Sequence, residues 1–77
     1  MTSKELIKTL MTEHDITNAE MAKTLGITQA ALWDRLNSKK SDNTTVKKLG
    51  DMLNVMGYKI IVVPDEVPIP EGGYAID

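Results

Sequence analysis

Thr17-Asn18-Ala19-Glu20-Met21-Ala22-Lys23-Thr24-Leu25-Gly26-Ile27-Thr28-Gln29-Ala30-Ala31-Leu32 is the stretch that decides the architecture. Thr17-x-x-Glu20 is a capping box, in which a hydroxyl and a carboxylate satisfy each other's orphan amides at a helix start. Met21, Ala22 and Leu25 then fall on one helical face, and Gly26 follows directly. A glycine after the last periodic residue marks a stop that needs a left-handed backbone, so this helix is short, about two turns. One residue later, Thr28 is placed to cap a second helix, with Ala31, Leu32 and Leu36 as its apolar stripe. Ala22 is small where the two helices must approach closely. Leu25, Ile27 and Leu32 fill the wedge between them and set their crossing angle.

Working outward, Thr2-x-x-Glu5 is a second capping box, and Leu6, Ile7, Leu10 and Met11 repeat behind it at helical spacing. His14 suits the negative end of that helix's dipole as an exposed terminal residue. On the other side, residues 37–43 form a polar loop, and Thr44 or Thr45 caps a last helix in which Val46, Leu49, Met52, Leu53 and Met56 are expected to face the core until Gly57 ends it. The methionines at 11, 21, 52 and 56 are core filler in a chain without phenylalanine.

The character changes after Gly57. Tyr58-Lys59-Ile60-Ile61-Val62-Val63 is β-branched and apolar, a strand by composition, and Pro64 stops it. Residues 65–77 carry Pro68, Pro70 and Gly72-Gly73 and form an acidic irregular tail able to fold back through Tyr74-Ala75-Ile76. The expected architecture is therefore mostly α, with four helices over residues 1–57, a strand at 58–64 and the tail at 65–77. A lone strand leaves its backbone groups unpaired. Either the tail pairs with it, or the same strand of a second copy does about a two-fold axis. The second arrangement, a homodimer joined through Tyr58, Ile60, Ile61, Val62 and Val63, is the expectation adopted.

Composition narrows the function classes. The 77 residues suffice for one small domain, and 42% hydrophobic with 26% charged residues is ordinary for a globular chain. There is no cysteine, which removes disulfide scaffolds, thiol catalysis and cysteine zinc sites, and fits a reducing interior such as a cytoplasm. The longest apolar run, Ile60–Val63, is far short of the roughly 20 residues of a membrane span. Lys4 followed at once by Glu5 does not begin a signal peptide. One histidine and scattered carboxylates offer no nucleophile–base pair and no metal-ligand set, so no enzyme, cofactor, metal or small-molecule ligand is expected. The net charge is −2, but it is unevenly spread: −2 over residues 1–34, +4 over 35–59 and −4 over 60–77. A local patch, not the total, sets the field a partner meets.

The motif Met21-Ala22-x-x-Leu25-Gly26-Ile27-Thr28-Gln29-x-x-Leu32-x-x-x-Leu36-Asn37, with Leu49-x-x-Met52-Leu53-x-x-Met56-Gly57 after it, resembles the Cro/C1-type phage repressors, the XRE family of lambda-repressor-like helix-turn-helix proteins. Arg35 stands where that family commonly has an apolar residue, and Ser38-Lys39 replaces its usual Gly-Lys. The resemblance covers about residues 3–57 and implies double-stranded DNA as the partner, with the second helix of the pair in the major groove. It implies base reading by Gln29, Ala30, Trp33 and Asp34, and backbone contacts from Asn18, Thr28, Lys39, Lys40, Thr44, Thr45 and Lys47. The implied role is a phage- or prophage-type repressor, dimeric on a pseudo-palindromic operator. The bland alternatives are a solvated lysine face, a Trp33 lying over its neighbours, and a protein-interaction or antitoxin-like module on the same helices.

Overall fold

A computed structural model describes residues 1–37 and 44–76. They form four helices: α1 (Ser3–Glu13), α2 (Asn18–Leu25), α3 (Gln29–Asn37) and α4 (Val46–Val55). Each start is built by a threonine. Thr2 Oγ1 accepts from the Glu5 N–H, Thr28 Oγ1 from the Ala31 N–H, and Thr45 Oγ1 from the Lys48 N–H, at 3.1–3.2 Å. At Thr17 the box closes in both directions, since the Glu20 carboxylate also accepts from the Thr17 N–H at 3.2 Å. Thr45, not Thr44, is the cap of α4.

Three of the four helices end in one shared device. After α1, α2 and α4 comes a residue in the left-handed region: Asp15 (φ 53°), Gly26 (φ 72°) and Gly57 (φ 84°). The N–H of the next residue then bonds a carbonyl five positions back, Ile16 to Met11, Ile27 to Ala22 and Tyr58 to Leu53, at 2.9–3.0 Å. This is the Schellman closure, and it aims Ile16, Ile27 and Tyr58 onto the core, against which all three pack. Asp15 does this without glycine's freedom; a short polar side chain is among the few that tolerate the conformation. At Gly26 an added Cβ would meet nothing within 4 Å, so any penalty there is conformational and not steric. Gly26→Ala is expected to cost about 1–2 kcal/mol, read as a loss in the denaturant midpoint at unchanged m-value. A neutral result would mean the turn does not hold this backbone.

Eleven apolar side chains among the described residues form the core: Leu6, Ile7, Leu10, Met11, Met21, Ala22, Leu32, Leu36, Leu49, Met52 and Leu53. Helix α3 packs across α1 and α2, and α4 closes the other side against α2 and α1. With no aromatic ring among them, the flexible methionines Met21 and Met52 fill the centre, 0% and 1% exposed. Two residues expected inside are outside. Val46 is 74% exposed, and Ala31 lies on the solvent side of α3. Val46 opens α4 one turn ahead of Leu49, and the part of α4 that the other helices cover begins only at Leu49.

The expected C-terminal strand is absent among the described residues. Residues 58–63 carry strand composition but have no ladder partner among the described residues, and the tail is broken by turns where a return strand would run. Val67 N–H bonds Pro64 O and Gly73 N–H bonds Pro70 O, at 3.0 and 2.9 Å, two tight turns that redirect the backbone. Composition favours an extended backbone here, whereas a strand requires a second one beside it. The tail does fold back. Tyr74 Oη donates to Glu13 Oε2 at 3.2 Å, and Tyr58 Oη lies 2.9 Å from His14 Nε2, with the two rings edge to face. Both contacts anchor the C-terminal segment to the end of α1.

The Tyr74 hydroxyl is held above the usual tyrosine pKa by desolvation, by its hydrogen bond to Glu13 and by the charge of that carboxylate. With the ring 41% exposed, the Glu13 contact is the cause with a clear structural basis. A raised tyrosine pKa means that the contact contributes fully below pH 10, the ordinary value, and is lost as pH rises through the raised one. Ultraviolet titration should show one tyrosine ionising late, and Tyr74→Phe should remove that late step. Absence of any late tyrosine step in the parent chain would contradict the contact.

Candidate nucleic-acid interface

Helix α3 is held by its back. Leu32 and Leu36 are 0% and 4% exposed, seated against α1 and α2. At roughly 100° per residue, Ala30, Asp34 and Asn37 fall on the opposite side and Trp33 on a flank, while Gln29, seven positions before Leu36, lies in the first turn on the leucine side; all five are exposed. Trp33 is 58% exposed. Asn37 Nδ2 donates to the Trp33 carbonyl at 3.0 Å, which tightens the last turn of the helix. Arg35 is half-buried on the flank away from Trp33. Leu36 takes the inward position and displaces Arg35 sideways.

The groups expected to hold a sugar–phosphate backbone are distributed around this helix. Thr28 and Thr45 sit at helix N-termini with their hydroxyls already engaged in capping, so their remaining capacity is as donors. Asn18 is half-buried in the first turn of α2, and Thr44 is half-buried just before α4. Lys47 pairs with Asp51 at 3.1 Å across one turn of α4; both side chains are largely solvent-exposed, so this pair is weak and exchanges readily. Lys39 and Lys40 lie outside the described residues. Two cations missing from the expected set belong near it. Lys48 is exposed in the first turn of α4, and Lys8 of α1 lines an open depression together with Asn18 and Asn37. Lys8 comes from a segment of net negative charge, and only the packing of α1 beside α2 and α3 brings it there.

Of the five residues expected at a dimer contact, Tyr58 is turned inward, packed on the core and bonded to His14. The Ile60 side chain lies over Gly50 of α4 and remains 41% exposed. Ile61, Val62 and Val63 are 55%, 95% and 44% exposed. Among the described residues no group of three or more histidine, aspartate or glutamate side chains is placed to hold a metal ion, and no helix is long and apolar enough to cross a membrane. Comparison with protein-family models, with curated proteins and with solved structures finds no match.

Proposed function

We propose that the chain is a sequence-specific double-stranded DNA-binding regulator of the Cro/C1 type, a repressor acting in a cytoplasm. The observation that carries this reading is the uncovered face of α3: a helix fixed by Leu32 and Leu36, entered through the Gly26 turn, with Gln29, Ala30, Trp33 and Asp34 facing solvent. Such a helix has the width the major groove admits. Lys47 and Lys48 at the start of α4, with Lys39 and Lys40 of the sequence between α3 and α4, supply the phosphate contacts, and Asn18 and Thr28 add helix N-termini. The acidic tail limits non-specific affinity by repulsion.

In this reading the protein works as a dimer. Residues 60–63 present an apolar stretch of backbone with no strand partner among the described residues, and a second copy pairs with it about a two-fold axis. Two α3 helices then enter successive major grooves about 34 Å apart on a pseudo-palindromic site.

The competing reading is a protein-interaction or antitoxin-like module, favoured by the exposed Trp33 and by the exposed carboxylate of Asp34 beside it. A mobility-shift titration on random duplex DNA at two salt concentrations separates the two. DNA binding requires a shift at low salt that weakens steeply with added salt. Lys48→Ala should then flatten the log–log slope by roughly 0.9, one phosphate contact, for all sequences alike. Gln29→Ala should instead relax the preference at one base pair by about 1–3 kcal/mol. No shift at low salt would leave the protein-partner reading standing.

A further inference from the structure

On the reading that residues 60–63 pair with a second copy, we infer that the two copies meet in one register, centred on Val62, and that two reciprocal ion pairs between Lys59 and the partner's Asp65 set it. The basis is a symmetry in the chain itself. Lys59-Ile60-Ile61-Val62-Val63-Pro64-Asp65 has a cation three positions before Val62, a carboxylate three positions after it, and only apolar residues between. Laid against itself in the opposite direction, such a stretch is self-complementary. Apolar residues meet apolar residues, and each charged end meets the opposite charge.

Geometry leaves few alternatives. A two-fold axis between adjacent antiparallel strands stands perpendicular to their sheet and keeps every side chain on its face. Because side chains alternate between faces along a strand, the residue at the axis must then oppose its own equivalent. Centred on Ile60, Ile61 or Val63, the pairing sets Lys59 against the partner's Ile61, Val63 or Val67. Of these four registers, only that centred on Val62 opposes Lys59 to a carboxylate. Pro64 fits it as well. Proline has no N–H to give a ladder, and the Pro64 carbonyl already accepts from the Val67 N–H at 3.0 Å. Opposite the partner's Ile60 it occupies a position without ladder hydrogen bonds. Such positions alternate, so Val62 and its equivalent form another, with Cα atoms about 4.5 Å apart. Lys59 and Asp65 are both exposed, and neither is engaged in an ion pair among the described residues. Ile60, which shares a face of the pair with Val62, lies over Gly50 of α4, so the two Val62 side chains, each 95% exposed in the single chain, meet on the side the helices occupy.

The test uses the full-length chain and reads association by sedimentation, with no DNA present. Lys59→Asp and Asp65→Lys each turn both attractive pairs into repulsive ones, and each should weaken self-association on the order of ten- to a hundredfold. Mixed in equal amounts, the two variants should associate with each other as tightly as the parent chain does with itself, because every cation again meets a carboxylate. Both changes in one chain should restore self-association. Cross-linking gives an independent readout, since the chain has no cysteine of its own. Val62→Cys should join two copies by a disulfide on mild oxidation, whereas Ile61→Cys and Val63→Cys, displaced from the axis beyond disulfide reach, should not. Single charge variants that self-associate like the parent, no recovery in the mixture, or cross-linking at 61 or 63 in place of 62 would overturn the register, while a dimeric parent chain leaves the two-fold reading intact. A parent chain that is monomeric at every concentration would remove that reading, and this inference with it.

Discussion

Lysine in place of Val62 is expected to separate the proposed dimer and to lower affinity for a two-half-site operator on the order of 10²–10⁴-fold, while binding to a single half-site stays unchanged. Val62 is 95% exposed, so its replacement removes almost no packing within one chain, and stability should hold within about 0.5 kcal/mol. In a pair of antiparallel strands related by a two-fold axis, however, a residue at the axis faces its own equivalent, so in a register centred on Val62 like charges there oppose pairing. Lysine also blunts a strand edge by holding its charge in water. It is the stringent choice, because its own charge favours DNA and a fall in affinity cannot then come from phosphate repulsion. Sedimentation measures the assembly, and mobility shifts on one- and two-half-site duplexes measure the linkage. A variant that remains dimeric would show that residues 60–63 are not the contact. Equal affinity of the parent chain for one and two half-sites would show that the two-fold model is wrong.

The second large effect separates two neighbours in sequence. Leu32→Ala should cost about 2–5 kcal/mol, the range for truncating a fully buried leucine, because Leu32 is 0% exposed at the junction of α3 with α1 and α2. A chain of this size has in total only about 4–12 kcal/mol at 0.05–0.15 kcal/mol per residue. A loss near 3 kcal/mol corresponds to a Tm lower by roughly 12–24 °C in a domain this small. Trp33→Ala, one position on, should leave Tm near that of the parent chain, since the indole stands largely in solvent. Thermal melts of the two variants by circular dichroism decide it. If Trp33→Ala collapses the fold while Leu32→Ala is tolerated, α3 presents the opposite face from the one described, and the interface with it.

Much of this could be read in the chain before folding, for a local reason. Helix starts at Thr2, Thr17, Thr28 and Thr45 and stops at Gly26 and Gly57 each depend on residues within five positions of one another. The left-handed stop at Asp15 escaped because only glycine announces that conformation in a sequence. The facing of Leu32 and Leu36 followed from helical periodicity, whereas the exposure of Val46 and Ala31 did not. Periodicity marks which residues share a face, not how far the neighbouring helices extend to cover it.

The amino-acid order alone thus determined where the helices begin and end, the left-handed turn between α2 and α3, and the inward placement of Leu32 and Leu36, because these are decided by hydrogen bonds and steric limits within a turn or two. Only the tertiary structure decided that residues 58–63 find no strand partner among the described residues, that Tyr58 points to His14, that Tyr74 reaches Glu13 and that Lys8 joins Asn18 and Asn37. Those are contacts between residues far apart in sequence, and they exist only once the burial of Leu, Ile and Met side chains has brought α1 against α2, α3 and α4.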